Sequence, residues 1–255
     1  MLCAEVGNMK DFYIKGRVMM LQPGFEINTF TVLGRCPRTG RLGVAVTTRE
    51  MGTGGRVPTV KSNVGAVATQ ASTDPRLGPL GLQLLELGYP AQRVMDELEA
   101  SDPYIERRQL GIIDRWGNTV VRTGKENRDW AGHITGEGFI AMGNFLLGEH
   151  VAQAMAKALE DSKDEDLEQR LLRGIEAGTL AGGQHGGQRS AAVIVYENDV
   201  YPLISLRVDD HPEPVVELRR IFDKFQPLMP YYRERPSNPD MPSVHDWAKQ
   251  RGLTT

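Results

Sequence analysis

A period of two first appears at Thr29, where Thr29, Thr31 and Leu33 alternate with Phe30, Val32 and Gly34. β-Branched and aromatic residues in that rhythm suit a pleated, half-buried strand. The turn Pro37-Arg38-Thr39-Gly40 follows, and Leu42 to Thr48 reads as the return strand of a hairpin with a loop of several residues. The glycine-rich stretch Gly52-Thr53-Gly54-Gly55-Arg56-Val57-Pro58 then leads into a strand over 64–70. No Gly-Lys-Ser/Thr follows it and no helix opens directly after it, so the phosphate-loop and dinucleotide fingerprints both fail. It reads as a flexible loop beside a pocket.

Helical spacing takes over after the turn cluster Thr73 to Pro79. Leu80, Leu84, Leu85 and Leu87 form an apolar stripe ending at Gly88, and a second helix from Pro90 buries Val94, Met95 and Leu98. Strands return at Gln109 to Asp114 and Thr119 to Thr123, joined by a Trp116-Gly117-Asn118 turn. The segments 129–133 and 136–144 continue them with many glycines. Two helices carry Val151, Met155, Ala158 and Leu159, then Leu167, Leu171, Leu172 and Ile175. The Gly182 to Arg189 loop feeds a strand over 190–196, which pairs with one over 203–208. Asp209-Asp210-His211-Pro212 reads as the cap of a last helix through Phe225, and a proline-rich tail, 226–255, looks peripheral.

Hairpins occur throughout without regular strand-helix-strand alternation, which argues against a doubly wound parallel sheet and for α+β with largely antiparallel sheets. Helix pairs on the outer faces of two packed sheets would give a four-layer αββα sandwich. The organisation expected is an extension, 1–28, one domain over 29–225, and the tail.

At 255 residues and a net charge of −3, the chain has no broadly basic surface for nucleic acid. Its two cysteines, Cys3 and Cys36, suit a reducing compartment rather than a disulfide framework. The first 28 residues hold Lys10, Asp11, Lys15 and Arg17, with no uninterrupted apolar core of a secretory signal. No stretch approaches the roughly 18 apolar residues of a membrane span. A cytoplasmic protein with a small-molecule substrate, no nucleic acid and no membrane partner is the expectation, with homo-oligomerisation left open. His133, His185 and His211 have no ligand partners at metal spacing, so no metal and no cofactor is expected. Neighbouring Asp210 and His211 look like an acid-base pair, but adjacent residues rarely face each other.

Several motifs in the same order carry a resemblance. They are Thr29-Phe30-Thr31-Val32, Gly65-Ala66-Val67-Ala68-Thr69-Gln70 through Asp74-Pro75-Arg76-Leu77-Gly78-Pro79, Arg108-Gln109-Leu110-Gly111, Asp129-Trp130-Ala131-Gly132-His133, Gly143-Asn144, and Gly186 to Ala192. Over about 29–225 the chain resembles the bacterial family of unknown function numbered ten-twenty-eight, whose members are similar in fold to the N-terminal-nucleophile (Ntn) hydrolases. On pattern alone Thr29 is merely the first residue of a strand. The resemblance aligns it with the threonine that starts family chains after methionine removal, and so implies a nucleophile whose own α-amine is the base. Asn144 is then the candidate oxyanion donor and second catalytic residue. Arg189 or Ser190 would orient a substrate carboxylate or the amine, and Asp74, Asp129 and His133 complete the expected substrate pocket. His133 or Asp129 would serve as base if Thr29 does not. Because 28 residues precede Thr29, its nitrogen is an amide unless cleavage or a later start exposes it. An amidohydrolase of Ntn type and a non-catalytic binding protein on the same fold therefore both stand as expectations.

Overall fold

The computed structural model describes residues 28–253. The reading of residues 1–27 lies outside them. The first hairpin is β1, Thr29–Arg35, and β2, Leu42–Thr48, followed by β3, Pro58–Lys61, and β4, Gly65–Ala71. Helices α1, Leu77–Glu86, and α2, Ala91–Ser101, precede β5, Arg108–Asp114, β6, Thr119–Thr123, β7, Gly132–Gly136, and β8, Phe139–Asn144. Then come α3, Glu149–Asp161, α4, Leu167–Leu180, β9, Ser190–Tyr196, β10, Ile204–Val208, and α5, Pro214–Phe225. Two short helices, α6, Met229–Glu234, and α7, Val244–Gln250, close the described chain.

The fold is α+β, with two antiparallel sheets flanked by helices. One sheet has the strand order β10-β9-β2-β1-β8-β7 and the other β3-β4-β5-β6. β1 lies centrally, pairing Thr29 with Thr48 on one side and with Asn144 on the other. Alternation decides what each face of β1 meets. Phe30 and Val32 join Met155, Leu159, Leu171 and Ile175 of α3 and α4, together with Leu218 and Phe222 of α5. Leu33 faces the other way, in a cluster with Val44, Val46, Ile140 and Met142 of its own sheet and Ala66, Ala68 and Ile113 of the smaller one. The far side of the smaller sheet, with Val67, Leu110 and Ile112, receives Leu82, Leu85, Val94 and Leu98 of α1 and α2. Each fully buried side chain of this kind contributes about 1.5–3 kcal/mol.

α4 approaches the larger sheet closely because that sheet lacks a side chain where the helix rides over it. A Cβ at Gly43 would lie 2.7 Å from Val195 Cγ2 and 2.9 Å from Leu171 Cδ1.

Three expectations need correction. α1 begins at Leu77, so its buried face is Leu77, Gly78, Gly81, Leu82 and Leu85, while Leu80 and Leu87 are exposed. β3 was hidden behind the glycine-rich loop, being only four residues long and starting at a proline that suits an edge strand. The helix expected to be the last, α5, is followed by two more and is not capped by Asp209 or Asp210. Its N-cap is Glu213 with Pro214 at the first position, and the Glu213 N–H donates to His211 Nδ1 at 3.0 Å. In the tail, α6 and α7 gather Tyr231, Trp247 and Ala248 into a small cluster of their own.

Leu171 is fully buried, so Leu171→Ala is expected to cost ~2–5 kcal/mol in urea unfolding, from lost transfer energy plus a cavity. Leu87 is 75% exposed, so Leu87→Ala should stay within about 0.5 kcal/mol. Gly43→Ala should lose about 1–3 kcal/mol by overpacking. Equal costs at 171 and 87 would refute the assignment of helix faces.

Candidate functional site

The inward rhythm of the strands turns polar at one end of the sheets. Thr29 and Thr31 are in phase with Leu33, Thr48 with Val44 and Val46, Ser190 with Ala192, and Asn144 with Ile140 and Met142. Register then sets Ser190, Thr48, Thr29 and Asn144 in one row across β9, β2, β1 and β8. From the smaller sheet, Gln70 continues the phase of Ala66 and Ala68, and Gln109 that of Ile113. All seven of these polar residues are at most 2% exposed.

Buried polar groups need partners, and here they supply one another. Thr31 Oγ1 donates to Gln70 Oε1. Gln70 Nε2 donates to Gln109 Oε1 at 2.7 Å and lies 3.4 Å from the Thr29 carbonyl. Gln109 Oε1 also accepts from Asn144 Nδ2 at 3.2 Å. Gln109 Nε2 in turn reaches the Gly143 and Gly132 carbonyls at 2.9 and 3.0 Å and Thr123 Oγ1 at 2.9 Å. Thr123 Oγ1 is 3.0 Å from His133 Nδ1, so the chain of bonds runs from the Thr29 backbone to the sheet surface.

The Thr29 hydroxyl lies 3.0 Å from that of Thr48. Thr48 Oγ1 donates to the Asn28 carbonyl at 2.5 Å, and the Arg49 N–H approaches the same oxygen at 3.3 Å. The Asn28 side chain donates to the His185 carbonyl at 2.7 Å, which fastens the Gly182 to Arg189 loop beside the start of β1. A cavity of about 170 Å³ opens next to Thr29 and Thr48, with Glu50, Thr53, Arg56 and Thr73 among its lining residues.

The expected site residues are distributed unevenly around this cavity. Ser190 is fully buried; its hydroxyl donates to the Glu50 carbonyl at 2.5 Å and accepts from the Thr53 N–H at 3.2 Å. Asn144 lines a neighbouring cavity of about 150 Å³, with Ser72, Arg107 and Asn127, and its amide goes to Gln109 rather than to Thr29. Arg189 turns its guanidinium to the surface, where Nε and Nη2 bind Asp210 at 2.5 and 3.2 Å. Only its backbone serves the row, donating to the Thr48 carbonyl at 2.7 Å. Asp74 lies in the connection between β4 and α1, lines neither cavity, and accepts from Arg76 Nε and Nη2 at 2.9 and 2.6 Å. Those hydrogen bonds hold its carboxyl at a pKa of about 2. Asp129 and His133 are exposed. Ala71 and Phe145, flanking Gln70 and Asn144 at the strand ends, take left-handed φ values of 66° and 53° that non-glycine residues seldom adopt.

Sequence reading missed Thr48, Gln70 and Gln109 as site residues. The signal was present: each continues an inward-facing apolar phase with a polar residue, which is informative once the strand is known to be covered on both faces. Among the described residues no group of three or more His, Cys, Asp or Glu side chains is placed to hold a metal ion, and no helix is long and apolar enough to cross a membrane. Larger cavities lie elsewhere, one of about 490 Å³ between Tyr201, Phe225 and Tyr232.

No curated protein matches the chain. Among solved structures, protein SPO2555 from Silicibacter pomeroyi, a member of DUF1028, aligns with 32% sequence identity and a TM-score of 0.74 over 88% of this chain and 94% of that one. The Anbu protein (ancestral beta-subunit) from Yersinia bercovieri aligns at 13% identity with a TM-score of 0.39, over 84% of this chain and 98% of its own. The family model described as "Family of unknown function (DUF1028)" matches residues 29–218, beginning at the threonine that heads β1, and the chain belongs to that family.

Proposed function

We propose that this chain is a hydrolase of a small amide or related C–N bond, of the N-terminal-nucleophile type, with the sheets and helices stacked as a four-layer αββα sandwich. The observation that carries the reading is the Thr29 hydroxyl, buried at the head of β1, beside a small cavity and hydrogen-bonded to Thr48 at 3.0 Å. With its nitrogen freed as an amine, Thr29 holds base and nucleophile in one residue. The amine takes the hydroxyl proton and Oγ1 attacks the amide carbon. The C–N bond then breaks as the ammonium protonates the leaving nitrogen, and water, deprotonated by the same amine, releases the acyl group from Oγ1.

The oxyanion of that attack needs fixed donors. In the uncut chain the Thr48 hydroxyl and Arg49 N–H converge on the Asn28 carbonyl, and removal of the preceding segment frees both for a substrate oxyanion. Asn144, whose amide is given to Gln109, acts in this scheme as a positioning residue for the row. Asp74 stays ionised at neutral pH and is no proton donor. Thr29 in its amide-linked form supports the second reading, a binding protein that uses the same cavity without chemistry.

A chain expressed to begin at Thr29 is expected to release amine from a panel of small amides and to be acylated by a β-lactone, with the mass gain on Thr29. Thr29→Ala should abolish both, and Thr29→Ser should keep part of each. Thr48→Val in that chain should lower kcat by about 10²–10³-fold. Intact mass of the natively produced protein reports whether the cut or later start occurs. An acylation rate unchanged by Thr29→Ala would end the threonine mechanism.

The Asp74 carboxyl is expected to titrate near 2 by NMR. Since that value is depressed by Arg76, the pair's stabilisation is fully present above an unfolded aspartate's ~3.9 and is lost as pH falls through about 2. An ordinary titration near that of a free aspartate would show that Arg76 does not hold it in solution.

A further inference from the structure

Two groups on the cavity beside Thr29 are not used by the hydrolysis above. Thr53 is 1% exposed, and its hydroxyl has no hydrogen-bond partner among the described residues, although its N–H is satisfied by Ser190. A buried hydroxyl of this kind calls for a polar atom opposite it. Arg56, exposed, lines the same cavity. Its guanidinium donates once, from Nη2 to the Met51 carbonyl at 2.5 Å, and it forms no ion pair with a carboxylate among the described residues. That sets it apart from its arginine neighbours: Arg76, Arg189 and Arg207 are paired with Asp74, Asp210 and Asp209. A guanidinium has five N–H donors in a fork that fits a carboxylate.

We infer that this cavity recognises a small amide carrying a carboxylate, with the carboxylate on Arg56 and a further polar atom on the Thr53 hydroxyl. The inference rests on the hydrolase reading for the amide, while the carboxylate recognition stands on Arg56 and Thr53 alone. Arg189, the arginine that the sequence suggested for this role, is neutralised by Asp210. Size narrows the class. A cavity of about 170 Å³ suits a small molecule such as an N-acylated small amino acid. Glu50 also lines the cavity and carries a negative charge, so Arg56 is the cationic lining residue available to an anion.

N-Acetylglycine and N-acetylglycinamide, alike in size and differing in carboxylate against carboxamide, test this by NMR titration of the full chain. N-Acetylglycine is expected to bind about threefold or more tighter, the difference an ion pair to an exposed guanidinium supplies, and to shift the Thr53 and Arg56 amide resonances. Arg56→Gln should erase the preference, Arg56→Lys should keep part of it, and Thr53→Val should weaken both probes alike. Equal affinity for the two probes, no binding of either, or a preference that survives Arg56→Gln overturns the inference. Turnover failing in the chain that begins at Thr29, with the preference retained, would instead reject the hydrolase reading and leave the carboxylate site standing.

Discussion

The demand that buried polar groups be paired governs the end of the fold where Thr29 lies. β1 is central in its sheet and covered on both faces, so whatever stands at its first inward position is removed from water. A donor or acceptor left unpaired there costs about 1–3 kcal/mol. Gln109 answers most of that demand, accepting from Gln70 and Asn144 through one oxygen and giving its amide to two carbonyls and Thr123. The network holds the Thr29 row as a consequence of satisfying the sheets. Strand ends locked by such bonds are held more rigidly than a loop is.

A second buried constraint ties the opposite side of the larger sheet to the tail. Arg41, 6% exposed, binds both oxygens of Glu168 at 3.1 and 3.2 Å and Glu197 at 3.0 Å. Glu197 also takes Arg233 of α6 at 2.7 Å. Burial pushes the Glu168 carboxyl up, against the pull of Arg41. The desolvation of such a cluster offsets much of its attraction, so its contribution is to fix where α4, β2 and α6 meet more than to add stability. The tail that looked peripheral thus shares a carboxylate with the sheet.

The sequence carried the strands and helices of the larger elements, because a two-residue or 3.6-residue rhythm is imposed by which face is buried and needs no partner to be legible. The hairpin from Thr29 to Thr48, the helices with Met155 and Leu171, and the strands around Ile112 and Val193 follow from it. It also carried the family through co-ordered motifs. What it could not carry was which polar residue meets which. Arg189 and Asp210 are 21 positions apart and meet across the surface, while Asn144 and Thr29, adjacent by register, give their side chains to different partners. The phase of Gln70, Gln109 and Thr48 was visible, but only the packing of one sheet on the other turned that phase into a buried network. Arg56 and Thr53 read as loop residues until the turn placed them on the cavity wall. Local periodicity reports burial along the chain, whereas side-chain pairing across strands depends on register and sheet packing, and those exist only in the folded molecule.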